Sequence, residues 1–415
     1  MLRALRNRTI ALLWTGQALS AIGDEIYRVA LIWLAVGLIG ADTGYLAAGQ
    51  FASLLLLSLI GGKWADNWDP LPTMVWVDGL RAALVLVPVA LYYLTPLSLT
   101  PLVFVAILVS ALSAFFDPAL QSSLPEFCPN TSSLQAANGL MGITARLARV
   151  AGPGIVGFLS TFVPIIHFFT IDALSFAISA ISVGALKNKR IAKADRPKVK
   201  PAITFSEAVK SGFRLIRRTP GMNYIMGAKA TTTAMWNLAY GLGLALLVSR
   251  ISPHDIKAFG LVVASYGAGN LGGALILGNM QRRNPIHLMF GGYIWLGAGF
   301  VMVGLAPSLG WAMLAAAFPA IGGPLNDMPF FDLVQTQFQV KDLAKVFRLR
   351  MALENGATLI VMLAAPLILK MISVNVLIVV CGGTMVLAGV CGLFTVAAAP
   401  FAAALGKASS PQGNE

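Results

Sequence analysis

Residues 100–122 read TPLVFVAILVSALSAFFDPALQS, an apolar run with a single charged side chain, Asp117. About 20 apolar residues, at about 1.5 Å of rise each, span the hydrocarbon core of a bilayer. The run therefore reads as a membrane-crossing helix. Comparable runs precede and follow it at 9–38, 44–66, 71–94, 138–160 and 164–186. Six more fall at 221–249, 257–279, 285–306, 310–334, 347–370 and 374–403. Turn chemistry separates them at Asp69-Pro70, Thr95-Pro96, Asn130, Pro164, Pro253, Asn284-Pro285 and Pro307. The sequence predicts an all-α membrane protein with twelve transmembrane helices.

Composition points the same way. The 415 residues are 57% hydrophobic and 11% charged, with a mean hydropathy of +0.77. Soluble domains carry about 25% charged residues. A net charge of +13 would suit a nucleic-acid binder, which gains by releasing counterions from phosphate. Here the basic residues sit in short segments between apolar runs, where they act as topology signals, and nucleic acid is excluded as a partner. Cys128, Cys381 and Cys391 form no CxxC pair and no disulfide framework. Arg3, Arg6 and Arg8 precede a long apolar run without a small-residue cleavage site, so the start reads as a retained first helix.

Lysine and arginine set the orientation. With the N-terminus inside, the inner loops receive Arg3, Arg6, Arg8, Lys63, Arg282, Arg283, Lys341, Lys345 and Lys407. They also receive eleven basic residues between Lys187 and Arg218, while the opposite loops hold Arg250, Lys257 and Lys370. Both termini are expected in the cytoplasm of a bacterial cell, with the protein in the inner membrane. The basic stretch divides the chain into a six-helix bundle over 1–187, a cytoplasmic linker over 188–220, a second bundle over 221–404 and a cytoplasmic tail over 405–415. Within the linker, Phe205, Ala208, Val209, Gly212, Phe213 and Ile216 recur at helical spacing, opposite Lys210, Arg214, Arg217 and Arg218. That pattern predicts an amphipathic helix on the inner leaflet with its cations toward anionic headgroups, or else a solvated linker helix. Asp117-Pro118-Ala119-Leu120-Gln121-Ser122 ends the fourth span and Asp332-Leu333-Val334-Gln335-Thr336 the tenth, an echo that suggests duplicated halves.

Several stretches resemble the major facilitator superfamily, and within it the bacterial group of enterobactin exporters and macrolide efflux pumps. They are Leu13-Trp14-Thr15-Gly16-Gln17 with Ser20-Ala21-Ile22-Gly23-Asp24, Gly62-Lys63-Trp64-Ala65-Asp66, Asp78-Gly79-Leu80-Arg81, Ala151-Gly152-Pro153-Gly154, and Ile171-Asp172-Ala173-Leu174-Ser175-Phe176. The resemblance implies two six-helix bundles about a central cavity, and proton-driven efflux of a small organic solute such as a siderophore or hydrophobic drug. After span two the superfamily pattern G-x-x-x-D-R-x-x-R-R keeps Gly62 and Asp66, but Asn67, Pro70 and Leu71 stand at the basic positions. In span five Gly152 and Pro153 match the family's glycine–proline motif, while the next glycines, Gly154 and Gly157, are displaced from its spacing. The resemblance also implies that Arg149, one turn before Gly152, faces the cavity; a cytoplasmic topology anchor is the plainer reading.

Charged residues inside spans are the candidate site. A charge at the bilayer centre costs about 2.5 kcal/mol or more and normally faces a cavity or a partner. Asp24 and Glu25 lie four and three residues before Arg28, so both reach it, and one carboxylate is left over as a candidate proton carrier. The plainer reading is an ion pair that orders the bundle. Asp172, Lys229, Asp327 and Glu354 are further candidates for the coupling site or cavity. Lys229 fits an anionic substrate, a carboxylate across the halves, or snorkelling to the inner face. Asp327 and Glu354 either line the cavity or partner Arg348 or Arg350. Asp78 and Arg81, three apart, are expected to form a structural pair near the inner end of span three.

Enzyme chemistry finds no support. Gly267-Ala268-Gly269-Asn270-Leu271-Gly272 matches G-x-G-x-x-G but lies within an apolar span with no preceding strand. No phosphate-binding G-x-x-x-x-G-K-S/T loop is present, and His167, His254 and His287 have no metal-ligand spacing. The expectation is a secondary transporter with no cofactor and no metal, whose partners are a small-molecule substrate, protons and the bilayer, with a monomer as the simpler assembly. An uptake symporter and a lipid flippase are the rival functions.

Overall fold

The computed structural model describes residues 5–60, 68–94, 99–128, 131–186, 205–278 and 284–397. All regular structure among them is helical. In lipid every backbone N–H and C=O must be satisfied within the chain, and a helix does this locally. The apolar runs form α1 (Arg8–Ile39), α2 (Thr43–Ile60), α3 (Pro70–Leu94), α4 (Leu99–Ser123), α5 (Thr131–Leu159) and α6 (His167–Gly184). The linker helix is α7 (Phe205–Arg218). Then follow α8 (Met222–Trp236), α9 (Leu244–Ile251), α10 (Ile256–Gly278), α11 (Pro285–Gly304), α12 (Leu309–Ala320), α13 (Gly322–Gln337), α14 (Val340–Met371) and α15 (Val374–Gly392). Nine stretches of the described residues are long and apolar enough to cross a membrane. The helix α5, with Arg146 and Arg149 inside it, is not among them, nor is the broken pair α12 and α13.

Local chemistry explains the ends. The Asn7 side chain accepts from the Thr9 N–H at 2.9 Å and caps α1, and Gly40, at φ +54°, ends it in a conformation that favours glycine. Ser308 and Ser373 cap α12 and α15 in the same way. Gly221, at φ +75°, turns the chain between α7 and α8. Between α8 and α9, Asn237–Gly243 winds as a π-helix, so this span is helical throughout but not uniformly so.

The chain divides into two compact units. One is built from Met1–Thr204 with Ser252–Ala264, the other from Phe205–Ile251 with Ser265–Glu415. In the first, α1 packs on α6 through its small residues: a Cβ on Gly16 would lie 2.8 Å from Ser182 Cβ. In the second, α11 packs on α15, where a Cβ on Gly382 would crowd Gly297 O and Val301 N. Such close backbones are the usual way helices associate where lipid supplies no hydrophobic contrast.

The helix α5 runs unbroken through Pro153. The proline, having no N–H, simply leaves the Arg149 carbonyl without its usual helical donor. The apolar stripe of α7 docks on protein: Ala208 and Ile216 are buried, and a Cβ on Gly212 would meet the Lys345 carbonyl at 2.6 Å. Phe213, expected on that stripe, is exposed instead, beneath Arg217. Gly62 and Asp66 of the loop motif lie outside the described residues, as do 188–204 of the linker and 405–415 of the tail.

Candidate functional site

The first unit centres on α1. Gln17, Ser20 and Asp24 follow one another at roughly one-turn spacing and share a face. That face opens on a cavity of about 320 Å³, lined also by Arg81 of α3, Ser113 and Asp117 of α4, and Thr144 of α5. Asp24 and Asp117 are exposed to this cavity, although protein surrounds them. Arg81 is 4% exposed, pairs with the fully buried Asp78 at 3.4 Å, and lies between the rings of Phe116 and Phe176 at 4.9 and 5.4 Å. Such ring contacts help to hold the guanidinium in place.

Behind α1 stands α6, with Asp172, Ser175, Ser179 and Ser182 buried along its length. Gln17 donates to Ser179 Oγ at 2.9 Å, and Ser175 donates to Asp172 Oδ1 at 3.2 Å. Asp172 Oδ2 and Asp78 Oδ2 are buried without a hydrogen-bond partner. Gly23 makes room for this arrangement, since a Cβ there would lie 2.6 Å from Asp172 Oδ1. Asp24 lies within electrostatic reach of Arg81, Asp78, Glu25 and Asp117, and Asp172 within reach of Asp24, Arg81 and Asp78. Four carboxyls thus converge on the Arg81 guanidinium. A group with more acid than base can take up a proton or a cation.

Of the two acids expected to share Arg28, Glu25 is the one seen paired with it. Arg28 Nε donates to Glu25 Oε2 at 2.9 Å, and Arg149 Nε approaches Glu25 Oε1 at 4.0 Å from α5. Glu25 is therefore an acid with two bases, while Asp24 lines the cavity with Arg81. The approach of α5 to α1 brings Arg149 to Glu25. Gly152 permits that approach, because a Cβ on it would lie 2.5 Å from Glu25 Cβ. Asp78 and Arg81 do pair, but at the cavity wall.

The second unit holds its own cluster. Lys229 of α8, 8% exposed at the side chain, pairs with Asp327 and donates to Asn326 Oδ1 at 2.9 Å, both on α13. Its carboxylate partner belongs to the same unit. Asp327 is half-exposed at the side chain. Glu354 pairs with Arg350 at 3.7 Å on α14, and Lys229 and Asp327 stand within electrostatic reach. Phe330, Phe331 and Phe347 surround the Arg350 guanidinium at 5.0 to 5.8 Å. The Tyr293 hydroxyl, buried without a partner, faces Asp327 and Glu354 electrostatically.

Residue-by-residue reading missed Asp117, Gln17, Asn326 and Tyr293 as site members. Asp117 carried a usable signal, an acid alone inside an apolar run. The amides and the tyrosine carried none, since such residues occur along many spans.

A family model described as transmembrane secretion effector matches residues 1–323. An uncharacterized MFS-type transporter, YfiS of Bacillus subtilis, is 26% identical over 394 residues, covering 91% of this chain and 90% of that one. Macrolide efflux protein A of Streptococcus pyogenes is 23% identical over 376 residues, covering 88% and 90%. Among solved structures, a peptide transporter POT in complex with sulfate superposes with a TM-score of 0.70 at 13% identity, covering 97% and 96%.

Proposed function

We infer the function from one premise: this chain belongs to the transmembrane secretion effector family of MFS-type transporters. It is a multi-pass membrane transporter and not an enzyme. We propose that it exports a small organic solute, a siderophore or hydrophobic drug, in exchange for protons. Similarity to a macrolide efflux protein supports the efflux direction. Twelve crossings, in bundles over 1–187 and 221–404 joined by the linker 188–220, are part of this proposal. So are alternating access, a bacterial inner membrane and cytoplasmic termini, with the tail 405–415 inside.

The observation that carries the coupling reading is the convergence of Asp24, Asp78, Asp117 and Asp172 on Arg81 beside the cavity. Asp24 and Asp117 are the carboxyls that line the cavity, and Asp24 is central to the electrostatic group. Protonation of Asp24 frees Arg81 from one carboxylate. A proton bound more tightly in one access state than in the other shifts the equilibrium between them, as coupling requires. Glu25, held by Arg28 and Arg149, serves the contact between α1 and α5.

The test is accumulation of candidate solutes in reconstituted vesicles under an imposed pH gradient, with solute binding measured separately. Asp24→Asn is expected to bind solute but not to concentrate it. Wild-type accumulation by Asp24→Asn, Glu25→Gln and the double variant alike would remove these residues from coupling.

A further inference from the structure

The helix α7 carries a feature that transport chemistry does not use. At 3.6 residues per turn, Lys210, Arg214, Arg217 and Arg218 fall within roughly 100° of arc. All four are exposed, with Glu207 exposed one turn earlier. Phe213 borders the arc at 49% exposure, with the Arg217 guanidinium 5.6 Å from its ring centroid. The opposite face is clamped. Ala208, Gly212 and Ile216 lie against protein, and Gly212 meets the Lys345 carbonyl and Leu349 Cβ of α14 without space for a methyl group. The next residue, Arg350, is the one that pairs with Glu354.

The helix also lies at a membrane boundary. Ile216 belongs to the same buried core as Met222, Ile225 and Met226, the first turns of a span-length apolar stretch. A basic face with an exposed aromatic at the edge of a bilayer matches the phosphate and upper acyl region of an anionic lipid. Zwitterionic headgroups offer it no net charge.

We propose that α7 is an anionic-lipid sensor: Lys210, Arg214, Arg217 and Arg218 take the phosphate of acidic phospholipid headgroups, and the Gly212 contact passes occupancy to α14. The bound lipid fixes α7, α7 fixes the first turns of α14, and α14 carries the Arg350–Glu354 pair. Lipid composition thereby sets how firmly the ionic cluster of the second unit is held, whatever the solute.

Hydrogen exchange tests this without reference to transport. The full-length protein is placed in nanodiscs of phosphatidylcholine with or without phosphatidylglycerol, and peptides covering 340–354 are followed. Phosphatidylglycerol is expected to slow their exchange in the wild type by about tenfold, a local-stability effect. Soluble glycerol phosphate, added to phosphatidylcholine nanodiscs, should leave exchange unchanged if the source is lipid. Equal slowing by it would replace the lipid with a free anion. The variant K210Q/R214Q/R217Q/R218Q, altered only at exposed positions, should lose the response, each neutralised cation weakening headgroup binding by about fivefold. Gly212→Leu should keep lipid binding, read by quenching of a probe on α7 with brominated phosphatidylglycerol, yet lose the slowing at 340–354. An unchanged response in the charge variant, an unchanged response in Gly212→Leu, or no response in the wild type would each overturn the proposal.

Discussion

The first unit gathers Asp24, Asp78, Asp117 and Asp172 around Arg81, whereas the second sets Asp327 and Glu354 against Lys229 and Arg350. Both clusters are built where three or more helices meet, both use phenylalanine rings to hold a guanidinium, and both bury part of their charge. They differ in balance. The second is matched, acid for base, so each member stabilises another. The first has more acid than base, four carboxyls around the one Arg81 guanidinium. A matched cluster orders a fold, and an unmatched one is poised to bind something positive.

The same chemical change should therefore act differently in the two units. Asp24→Asn has the largest expected effect, on transport: solute accumulation under a pH gradient should fall about a hundredfold, equivalent to about 2.7 kcal/mol, with solute binding kept. Accumulation within a few-fold of wild type would place the coupling charge elsewhere. In the second unit, Asp327→Asn should act on stability. It strands the Lys229 ammonium in a buried position, and breaking a buried pair costs about 3–5 kcal/mol. Because Asp327 is half-exposed, the loss should be nearer to about 2 kcal/mol, read as a lowered unfolding midpoint in detergent. Lys229→Met with Asp327→Leu should recover most of it, and a double variant no better than the single would show that the pair is not the unit of stability.

A smaller effect is expected where the clusters are set in place. Gly152→Ala inserts a methyl group 2.5 Å from Glu25 Cβ, an overpacking that costs about 1–3 kcal/mol. It should lower the unfolding midpoint and impair transport together, and loss of transport at an unchanged midpoint would assign Gly152 to motion. The smallest change is expected for Asp172→Asn, which sits in a crowded group of acids and keeps an acceptor for Ser175. Its effect on stability should stay within about 1 kcal/mol in either direction. A loss as large as that of Asp327→Asn would erase the distinction between the two units.

Much of the fold was legible because lipid imposes a one-dimensional rule. Apolar length and turn residues placed the helix now spanning Pro70–Leu94 at 71–94, and the helix spanning Leu99–Ser123 at 100–122. Ion pairs within one helix were legible for the same reason, as with Glu25–Arg28 and Asp78–Arg81. Pairs between helices were not. Lys229 and Asp327 are 98 residues apart, and nothing in either neighbourhood names the other. The approach of Arg149 to Glu25 depends on how α5 meets α1, which Gly152 permits without specifying. The winding at Asn237–Gly243 was equally hidden, because hydropathy does not distinguish a π turn from an α turn.

That winding has a consequence for how the chain tolerates change in length. A π turn holds about one residue more than the α turn it replaces, so Asn237–Gly243 behaves as an insertion already absorbed. Removing a residue there would restore ordinary winding and keep the faces on either side in phase. Removing one between Ala228 and Thr233 would instead rotate Lys229 and its neighbours by about 100° relative to the rest of the span. Within a single membrane crossing, the segment around Lys229 is fixed in length, and the segment after Trp236 is where the span has slack.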